Sequence, residues 1–188
     1  MGNAFILASG SPRRLELLNQ IGLEPSVQPV HIDESQHLGE TGPELVQRLA
    51  ESKAMAVSAS EVPVLGADTI VMLGDQVYGK PMNRSHCLDM LRSMSGKKHK
   101  VITSVCVCTG SQKLTQTVHS IVTMSHISDA AAEQYWQSGE PNGKAGGYAI
   151  QGKGAVFVEH LEGSYSNVVG LPLYESAQLL SKVGINSL

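Results

Sequence analysis

The chain has 188 residues, of which 41% are hydrophobic and 16% charged, a composition typical of a globular protein with one sizeable core. With 14 Lys and Arg against 17 Asp and Glu, its formal net charge is -3, which gives no overall attraction to nucleic-acid backbones or anionic membrane surfaces. No apolar run approaches the roughly 18 residues that a membrane helix needs. We therefore expect neither a polymeric nucleic acid nor a membrane as a partner.

The cysteines bear on the compartment and on metal binding. Cys87, Cys106 and Cys108 cannot all pair, and the N-terminal residues lack the basic and long apolar regions of a signal peptide. We therefore expect a reduced, cytoplasmic protein. Cys106 and Cys108 share one strand face and could ligate a metal, but no histidines cluster with them, so buried thiols are the favoured interpretation.

The first half of the chain is predicted to alternate short strands with amphipathic helices. The predicted elements are, in order, a strand at 5–8, a helix at 13–21 before Gly22, a second short strand, a helix from the capping box at Thr41 to about Ser58, an apolar strand at 62–73, a turn at 74–75 into a strand at 76–78, and a helix between Asn83 and Gly96. The long apolar strand has the pattern of a central strand.

The second half is predicted to be a meander of strands with two helices. The predicted elements are long strands at 99–108 and 114–127 joined at 109–111, a helix at 130–138 capped by Ser128 or Asp129, a Gly/Pro-rich stretch at 139–154, a hairpin made of a strand at 157–161, a turn at 162–163 and an extended segment, and a terminal helix at 171–183. Both long strands show period-two alternation. Since no repeat or linker interrupts this order, it indicates one mixed-sheet α/β domain over 1–188.

The segment Ser9-Gly10-Ser11-Pro12-Arg13-Arg14 combines a glycine turn after a strand with two guanidinium groups in the first turn of a helix. Free backbone N–H groups and the positive end of the helix dipole favour a phosphate at this place. Arginine is unfavourable there unless an anion is nearby, so the segment predicts an anion site. An ordinary capped helix with two solvated arginines explains the same residues and remains open.

Two charged residues interrupt apolar patterns. Lys53 lies four residues after Leu49 on the apolar stripe of the second helix, so it is either a lysine that snorkels at the stripe edge or part of a site. Asp68 stands in an almost wholly apolar run, where an unpaired carboxylate would cost several kcal/mol. Asp68 therefore lies at a strand end, binds a cation or faces a cleft, and the last two alternatives are favoured.

Further polar residues lie in the predicted loops. Asp33 and Glu34 could hold Mg²⁺ or could be solvated loop acids. Lys80 is held extended before a proline, and the glycine-rich stretch adds Lys144 and Gln151. Together with the anion site, these are the parts of a metal–phosphate site. The chain has no histidine pair at helical spacing, no Walker motif and no dinucleotide fingerprint, so zinc-enzyme, P-loop and Rossmann interpretations are disfavoured.

Ordered motifs of the chain match a known family over nearly the whole length. The matching motifs are Ile6-Leu7-Ala8-Ser9-Gly10-Ser11-Pro12-Arg13-Arg14 with Leu17-Leu18, Gly66-Ala67-Asp68-Thr69-Ile70-Val71, Gly79-Lys80-Pro81, Lys144-Ala145-Gly146 through Ile150-Gln151-Gly152, Ser164-Tyr165, and Val168-Val169-Gly170-Leu171-Pro172-Leu173. On these residues the chain resembles the Maf nucleotide pyrophosphatases. Because several motifs occur in the family's order, chance agreement is a poor explanation.

The resemblance implies an elongated mixed β-sheet with flanking helices, in two lobes around a cleft, as in Maf and inosine triphosphate pyrophosphatase-like (Ham1-like) proteins. It implies hydrolysis of a nucleoside triphosphate to the monophosphate and pyrophosphate with a divalent metal cation, Mg²⁺ or Mn²⁺. By the same resemblance Asp68 accepts the proton of the attacking water and, with Glu34, holds the metal. The phosphate-binding residues that the resemblance implies are Ser9, Arg14, Lys53 and Lys80.

Within the family, the chain is similar to the subgroup that acts on dTTP and UTP at Arg13, Thr69 and Gln151, the positions associated with base choice. A glutamine amide offers both a donor and an acceptor to the edge of uracil or thymine. The resemblance therefore implies hydrolysis of dTTP, UTP and modified pyrimidine nucleotides by a homodimer. The alternative is a nucleotide-binding regulatory protein that affects septum formation, which would bind a nucleoside triphosphate without hydrolysing it.

Overall fold

The computed structural model describes residues 4–57, 62–110 and 112–187, and this part of the chain contains six α-helices and seven strands. The helices are α1 (Pro12–Gln20), α2 (Gly42–Met55), α3 (Arg84–Met94), α4 (Asp129–Gln137), α5 (Tyr165–Val169) and α6 (Leu173–Ser181). The strands are β1 (Ile6–Leu7), β2 (Ser26–Val27), β3 (Val64–Leu73), β4 (Gln76–Tyr78), β5 (Lys98–Cys108), β6 (Lys113–Met124) and β7 (Val158–Glu162). Short 3-10 turns lie at Ala145–Gly147 and Lys153–Phe157.

The seven described strands form one mixed sheet. Its order is β2-β1-β3-β5-β6-β7, with β4 paired to β3 outside this path. Strand β1 pairs in parallel with β2 and β3, whereas the pairs β3/β4 and β6/β7 are antiparallel. Parallel pairs need crossover connections, and α1 and α2 supply them between the first three strands. The predicted α/β class with a mixed sheet and flanking helices is confirmed.

The described chain forms two compact units, neither of which is one continuous segment. The first unit takes its described residues from Met1–Thr69, Thr103–Val118 and Gly170–Leu188, and the second from Ile70–Ile102 and His119–Val169. Strands β3, β5 and β6 therefore contribute residues to both units. A single domain over 1–188 stays a prediction.

Capping residues locate the starts of three helices. Thr41 Oγ1 accepts the N–H of Glu44 while the Glu44 carboxylate accepts the N–H of Thr41, so the predicted capping box is present at α2. Asn83 and Ser128 each accept the backbone N–H three residues later, at 2.9 and 3.2 Å, at the starts of α3 and α4. These predicted starts are confirmed. Helix α2 ends at Met55, however, and the predicted end near Ser58 lies outside the described residues, as does Ser111 of the predicted turn at 109–111.

The predicted alternation along β5 is wrong. Every residue from Val101 to Cys108 is buried, on both faces of the strand. On one face, Cys106 and Cys108 belong to an apolar cluster with Ala50 and Ala54 of α2. A strand that is covered on both faces has a continuously apolar sequence, because neither face meets water. The predicted alternation is present in the second half of β6, where every second residue from Ser120 to Met124 is buried.

The hairpin predicted near residue 163 is half wrong. Strand β7 is present, but it pairs with β6, and the segment after Gly163 is helix α5 rather than a strand. Ser164 Oγ accepts the N–H of Asn167 at 3.2 Å, which is the geometry of a helix cap. The last helix is also shorter than predicted, at Leu173–Ser181, because Pro172 disfavours a helical conformation at the preceding Leu171.

The second unit buries a histidine beside a tyrosine. His99 is 2% exposed, and its Nε2 lies 2.8 Å from the Tyr148 hydroxyl. The two rings meet edge to face with centroids 5.5 Å apart. Burial lowers the pKa of His99 to about 4, because water cannot solvate the imidazolium. The folded protein therefore keeps this imidazole neutral near neutral pH.

His99 is expected to make stability depend on pH between about 6.5 and 4. The unfolded chain binds a proton at this imidazole near pH 6.5, whereas the folded protein binds it only near its pKa of about 4. The unfolded state therefore gains the proton first as pH falls, and the free energy of unfolding drops by about 3 kcal/mol. His99→Gln should flatten this slope in urea unfolding relative to the wild type. An unchanged slope in His99→Gln would contradict the prediction.

Candidate active site

Three charged side chains of the first unit form a cluster centred on Lys53. Its Nζ lies 2.6 Å from Asp68 Oδ1 and 2.6 Å from Glu34 Oε1. Lys53 and Asp68 are 7% and 8% exposed, whereas Glu34 reaches the cluster from an exposed loop. Asp68 lies within β3 and contacts a cation, so its proposed position at a strand end is wrong. Lys53 does not snorkel to solvent, since its ammonium group is buried between two carboxylates.

The close approach of α2 to β3 places Lys53 beside Asp68. Gly66 and Asp68 are two residues apart, so they lie on the same face of β3. A Cβ atom on Gly66 would collide with the carbonyl oxygen of Ala50 and come within 2.6 Å of the amide nitrogen of Ala54. Both atoms belong to α2, on the side of the helix that also carries Lys53. The missing side chain at residue 66 therefore lets α2 bring its lysine to the carboxylate.

Burial of the Lys53 and Asp68 charges is tolerated only because the two ions are paired with each other. Removing each ion from water costs several kcal/mol, and the mutual attraction of the pair offsets this cost. Loss of either partner would leave an uncompensated buried charge. Because replacement of a buried ion pair by apolar side chains is often neutral or stabilising, the pair is weak evidence for a stabilising role. Its position beside an exposed carboxylate instead indicates a place for chemistry.

The loop that carries Glu34 is fastened to α2 by Arg48. Arg48 Nε and Nη2 donate to the two carboxylate oxygens of Glu40 at 2.6 and 2.8 Å, and Nη2 also donates to the Ser35 carbonyl at 2.9 Å. The hydrogen bond from Arg48 lowers the pKa of Glu40 to about 2. Asp33 is engaged locally, because its Oδ1 accepts the Ser35 N–H at 2.9 Å in an Asx turn. Sequence reasoning missed Arg48 and Glu40, since nothing in the pattern pairs a helix arginine with a loop acid.

Arg14 ties three segments of the first unit together. Its Nε donates to the Gly170 carbonyl at 2.9 Å, Nη1 to Ser9 Oγ at 3.0 Å and Nη2 to Thr69 Oγ1 at 3.3 Å. Burial lowers the pKa of Arg14, and the negative charge of Asp68 opposes that shift. Arg14 is therefore not a solvated surface arginine, and the interpretation of two solvated arginines is wrong for this residue.

The start of α1 has a different cap from the predicted one. The Ser11 side chain makes no capping bond, and Ser9 Oγ instead accepts the Ser11 N–H at 3.2 Å. Pro12 occupies the first helical position, where its missing N–H costs no helical hydrogen bond. Arg13 and Arg14 follow at the positive end of the helix dipole, and the first turn contains no acidic residue. Positive charge therefore accumulates at this helix start, as an anion site requires.

The groups around Lys53 and Arg14 act on one another electrostatically. The charges of Asp68 and Glu34 both favour the protonated form of Arg14, so the two clusters lie within electrostatic reach. Arg13, Arg14 and Lys53 carry three positive charges. Asp68 and Glu34 carry two negative charges. A positive excess around a carboxylate suits a substrate that carries several negative charges.

Thr69, adjacent to Asp68, is held by hydroxyl and carbonyl groups of the first unit. Its Oγ1 lies 3.0 Å from Thr103 Oγ1 and 3.4 Å from the Gly170 carbonyl oxygen. Gly170 has a φ of 128°, a left-handed conformation that favours glycine. Sequence reasoning missed Thr103, which is wholly buried. The available signal was a polar residue inside an apolar strand, since a buried hydroxyl needs a hydrogen-bond partner.

Lys80 and Gln151 lie in separate segments of the second unit. Lys80 is exposed just after β4, and the carbonyl of the preceding Gly79 accepts the N–H of Gly146 at 3.0 Å. This bond joins two of the glycine-rich motifs. Gln151 is exposed in a turn over 149–152 that is closed by a backbone hydrogen bond of 3.2 Å. Its side chain is therefore accessible to a ligand of the second unit.

Three observations concern acidic and histidine clusters, cysteines and helix length in the described part of the chain. Among residues 4–57, 62–110 and 112–187, no three His, Cys, Asp or Glu side chains gather as a metal-binding group. Cys87, Cys106 and Cys108 are free and buried, so the interpretation as buried thiols is confirmed. No helix in these ranges combines the length and the apolar character needed to cross a membrane.

The chain combines a mixed α/β fold with a buried carboxylate beside a lysine and an arginine-rich helix start, a set of groups that suits a phosphorylated compound. The chain belongs to the family of Maf-like proteins, whose family model matches residues 4–183. The family resemblance carried by the sequence motifs is thereby confirmed.

Several relatives match almost the whole chain. The dTTP/UTP pyrophosphatase of Pseudoalteromonas atlantica is 48% identical over 187 residues, which cover 96% of this chain and 97% of that protein. The proteins of the same name from Alkalilimnicola ehrlichii and Chromobacterium violaceum are each 47% identical, over 96% and 95% of this chain and 93% of each protein. Among solved structures, the Staphylococcus aureus Ham1 protein has a TM-score of 0.44 and 15% identity, over 67% of this chain and 72% of that chain.

Proposed function

We propose that this chain is a nucleoside triphosphate pyrophosphatase that hydrolyses dTTP and UTP, and modified pyrimidine nucleotides, to the monophosphate and pyrophosphate. The observation that carries the proposal is the buried Asp68 carboxylate, which lies 2.6 Å from the Lys53 ammonium and within electrostatic reach of Arg14. The relatives that match nearly the whole chain are named dTTP/UTP pyrophosphatases, in agreement with this chemistry.

In the proposed reaction, a water oxygen attacks the α-phosphorus of the triphosphate. Asp68 accepts a proton from that water, so a hydroxide-like oxygen forms the new bond to phosphorus. The bond from the α-phosphorus to the α–β bridging oxygen breaks, and its electron pair leaves on pyrophosphate. The phosphate-binding residues that we propose are Ser9, Arg14, Lys53 and Lys80. Their positive and hydrogen-bonding groups neutralise the charge that develops, so catalysis depends mainly on positioning and electrostatics.

Two carboxylates of the first unit supply oxygen donors of the kind that a divalent cation prefers. Glu34 Oε1 and Asp68 Oδ1 each lie 2.6 Å from Lys53 Nζ, so the ammonium group occupies the point on which these two oxygens converge and a cation would be bound beside it. Mg²⁺ and Mn²⁺ prefer oxygen ligands, and Mg²⁺ is commonly held by one or two carboxylates together with water and substrate phosphates. We propose that Glu34 and Asp68 hold such a cation. When bound, it would neutralise charge on the phosphate oxygens.

Glu34→Gln is expected to raise the Mg²⁺ or Mn²⁺ concentration needed for half-maximal activity by at least about 10-fold, because a neutral amide holds the cation less well than a carboxylate. The measurement is a metal titration of pyrophosphate release, paired with calorimetric titration of Mn²⁺. Asp33→Asn is the matched control, since Asp33 bonds the Ser35 N–H and is the neighbouring acid of the same loop. An unchanged titration in Glu34→Gln would make Glu34 a loop acid that only contacts Lys53.

Gln151 is proposed to read the base, with Arg13 and Thr69 as the other residues that influence base choice. Uracil and thymine present the same carbonyl–imide–carbonyl edge, whereas cytosine carries an amine and an unprotonated ring nitrogen in part of it. A site that hydrogen-bonds one of these edges leaves buried polar groups unpaired with the other base. The enzyme should therefore hydrolyse UTP and dTTP much faster than CTP.

Gln151→Ala is expected to reduce the ratio of kcat/KM for UTP to kcat/KM for CTP by at least about 10-fold, with a smaller change in the rate common to both. Arg13→Ala and Thr69→Ala should shift the same ratio in the same direction. The measurement compares UTP, dTTP, CTP and GTP in the wild type and the three variants. A wild-type enzyme that prefers GTP or CTP would contradict the assignment of the base.

The test of the proposed function is a substrate screen for pyrophosphate release. Purified protein with Mg²⁺ or Mn²⁺ is incubated with each nucleoside triphosphate, and pyrophosphate and orthophosphate are quantified separately. Release of pyrophosphate from dTTP and UTP is the expected result. Tight nucleotide binding without release of either product would overturn the enzyme assignment and favour the regulatory nucleotide-binding alternative. Release of orthophosphate alone would place the cleavage at another anhydride bond.

We also propose a cytoplasmic location and a homodimer. The location rests on Cys87, Cys106 and Cys108, which are all free, as expected in a reducing compartment. The homodimer rests on the family resemblance alone and stays a prediction. Its test is the molecular mass in solution, measured by light scattering or sedimentation.

A further inference from the structure

The turn that presents Gln151 is held at both ends by one carboxylate and one phenol. Glu140 Oε2 and Oε1 accept the N–H groups of residues 153–154 at 2.8 and 2.9 Å. The Tyr135 hydroxyl donates to Glu140 Oε1 at 2.8 Å and accepts the N–H of Ala149 at 3.0 Å. The same two side chains therefore bind backbone amides on both sides of Gln151.

The backbone of this segment wraps closely around the Glu140–Tyr135 pair. A Cβ atom on Gly152 would collide with the carboxylate of Glu140, and one on Gly154 would come within 2.7 Å of the Tyr135 hydroxyl oxygen. Tyr135 is 4% exposed, and its ring meets Phe157 edge to face at a centroid distance of 5.2 Å. The phenol is thus fixed by packing, and the glycines let the chain reach it and the carboxylate.

The protonation states of the pair keep its donors and acceptors fixed at neutral pH. Burial alone would raise the pKa of Glu140, but the N–H groups of Lys153 and Gly154, the Tyr135 hydroxyl and the charge of Lys144 together lower that pKa. Burial raises the pKa of Tyr135, so the phenol stays protonated. An ionised acceptor that receives three hydrogen bonds forms charge-assisted bonds, which are stronger than neutral ones.

We propose that Glu140 and Tyr135 are positioning residues that fix the turn over 149–152 so that Gln151 discriminates between pyrimidine bases. The proposal rests on the base-reading role of Gln151 proposed above. A glutamine amide has both a donor and an acceptor, so a loosely held side chain could rotate to suit either uracil or cytosine. A fixed turn confines the amide to one place and direction of approach to the base, which limits this adjustment and lowers the entropic cost of binding.

The test compares base choice in two conservative variants. Tyr135→Phe removes both hydrogen bonds of the hydroxyl and keeps the ring. Glu140→Gln replaces one accepting oxygen with an NH2 group, which faces a backbone N–H and cannot accept its hydrogen bond. Each should lower the UTP to CTP ratio of kcat/KM by about 10-fold. Tyr135→Phe should also lower Tm by several degrees, because it leaves the buried Ala149 N–H without its acceptor. Glu133→Gln is the matched control, because it removes a charge of the same unit that pairs with Arg84, and it should keep the wild-type ratio.

A double variant separates positioning from a general structural role. If Glu140 acts through Gln151, the Glu140→Gln/Gln151→Ala protein should have the same base ratio as Gln151→Ala alone. Amide hydrogen exchange supplies a readout that needs no activity. Exchange at residues 149, 153 and 154 should be faster in Tyr135→Phe and Glu140→Gln than in the Glu133→Gln control.

Each unfavourable outcome has a distinct meaning. Unchanged exchange in both variants would overturn the proposed hold on the turn, whatever the activity. Faster exchange with an unchanged base ratio, alongside a reduced ratio in Gln151→Ala, would overturn the positioning role and leave the proposed function intact. A wild-type ratio of kcat/KM for UTP to CTP in Gln151→Ala would overturn the base contact, and with it the positioning role of Glu140 and Tyr135. Pyrophosphate release by the wild type would still support the enzyme class.

Discussion

Asp68→Asn is expected to lower kcat for dTTP and UTP by at least about 100-fold, because an amide cannot accept the proton of the attacking water. The amide oxygen can still accept a hydrogen bond from Lys53, whose Nζ lies 2.6 Å from Asp68 Oδ1. Glu34 also stays beside Nζ, so the buried ammonium keeps one negative partner and the protein should fold, with reduced stability. Most nucleotide binding should be retained at a saturating metal concentration, which is needed because Asp68 is also a proposed metal ligand. The expected pattern is a loss in kcat that far exceeds any rise in KM.

The measurement is steady-state kinetics together with thermal unfolding and direct binding of a non-hydrolysable triphosphate. Asp75→Asn is the matched control, since it makes the same chemical change in the exposed turn between β3 and β4. Near-normal turnover in Asp68→Asn would remove Asp68 from the role of base and make it a partner of Lys53 only. A fall in turnover that tracks a large loss of stability would also contradict the proposed role.

Those parts of the fold that depend on local chemistry could be predicted from the sequence. Thr41, Asn83 and Ser128 each bond an N–H three residues later, so the starts of α2, α3 and α4 follow from short motifs. The errors arise where tertiary structure decides. Strand β5 shows no alternation because both its faces are covered, and α5 replaces a predicted strand because Ser164 caps it.

The residues of the candidate site could be identified singly, but their pairing could not. Asp68 and Lys53 were each conspicuous as charges in apolar patterns, yet fifteen positions separate them. Their contact depends on how closely α2 packs on β3, which no periodicity encodes. Arg14 was conspicuous at a helix start, whereas its acceptor in Gly170 comes 156 positions later.

The structural role of Glu140 could not be predicted from the sequence. It lies in a Gly/Pro-rich stretch, where an acidic residue is ordinarily solvated. Its function in the fold is to accept backbone N–H groups 13 and 14 positions later, together with a tyrosine hydroxyl. Every residue except proline has a backbone N–H, whatever its side chain. A side chain that binds backbone N–H groups therefore cannot be identified from the amino-acid types of its partners.

Gly66→Ala is expected to destabilise the protein by about 3 kcal/mol or more, because the new methyl group would enter the backbone of α2. Its Cβ would collide with the Ala50 carbonyl oxygen and lie 2.6 Å from the Ala54 nitrogen. Helix geometry pairs these two atoms in one hydrogen bond, so neither can move aside without disturbing α2. To relieve the collision, α2 must shift away from β3, and Lys53 moves with it. Activity of the folded protein should therefore fall as well as stability.

Urea unfolding and kcat at a temperature where the variant remains folded check both parts of the Gly66→Ala prediction. Gly110→Ala is the control, because a Cβ at that position would meet nothing within 4 Å. Wild-type stability in Gly66→Ala would contradict the close packing of α2 on β3. Reduced stability with wild-type turnover would instead mean that this packing stabilises the first unit without positioning Lys53 for the reaction. A combined loss supports the view that one missing side chain on β3 sets the distance between the lysine and the carboxylate that perform the chemistry.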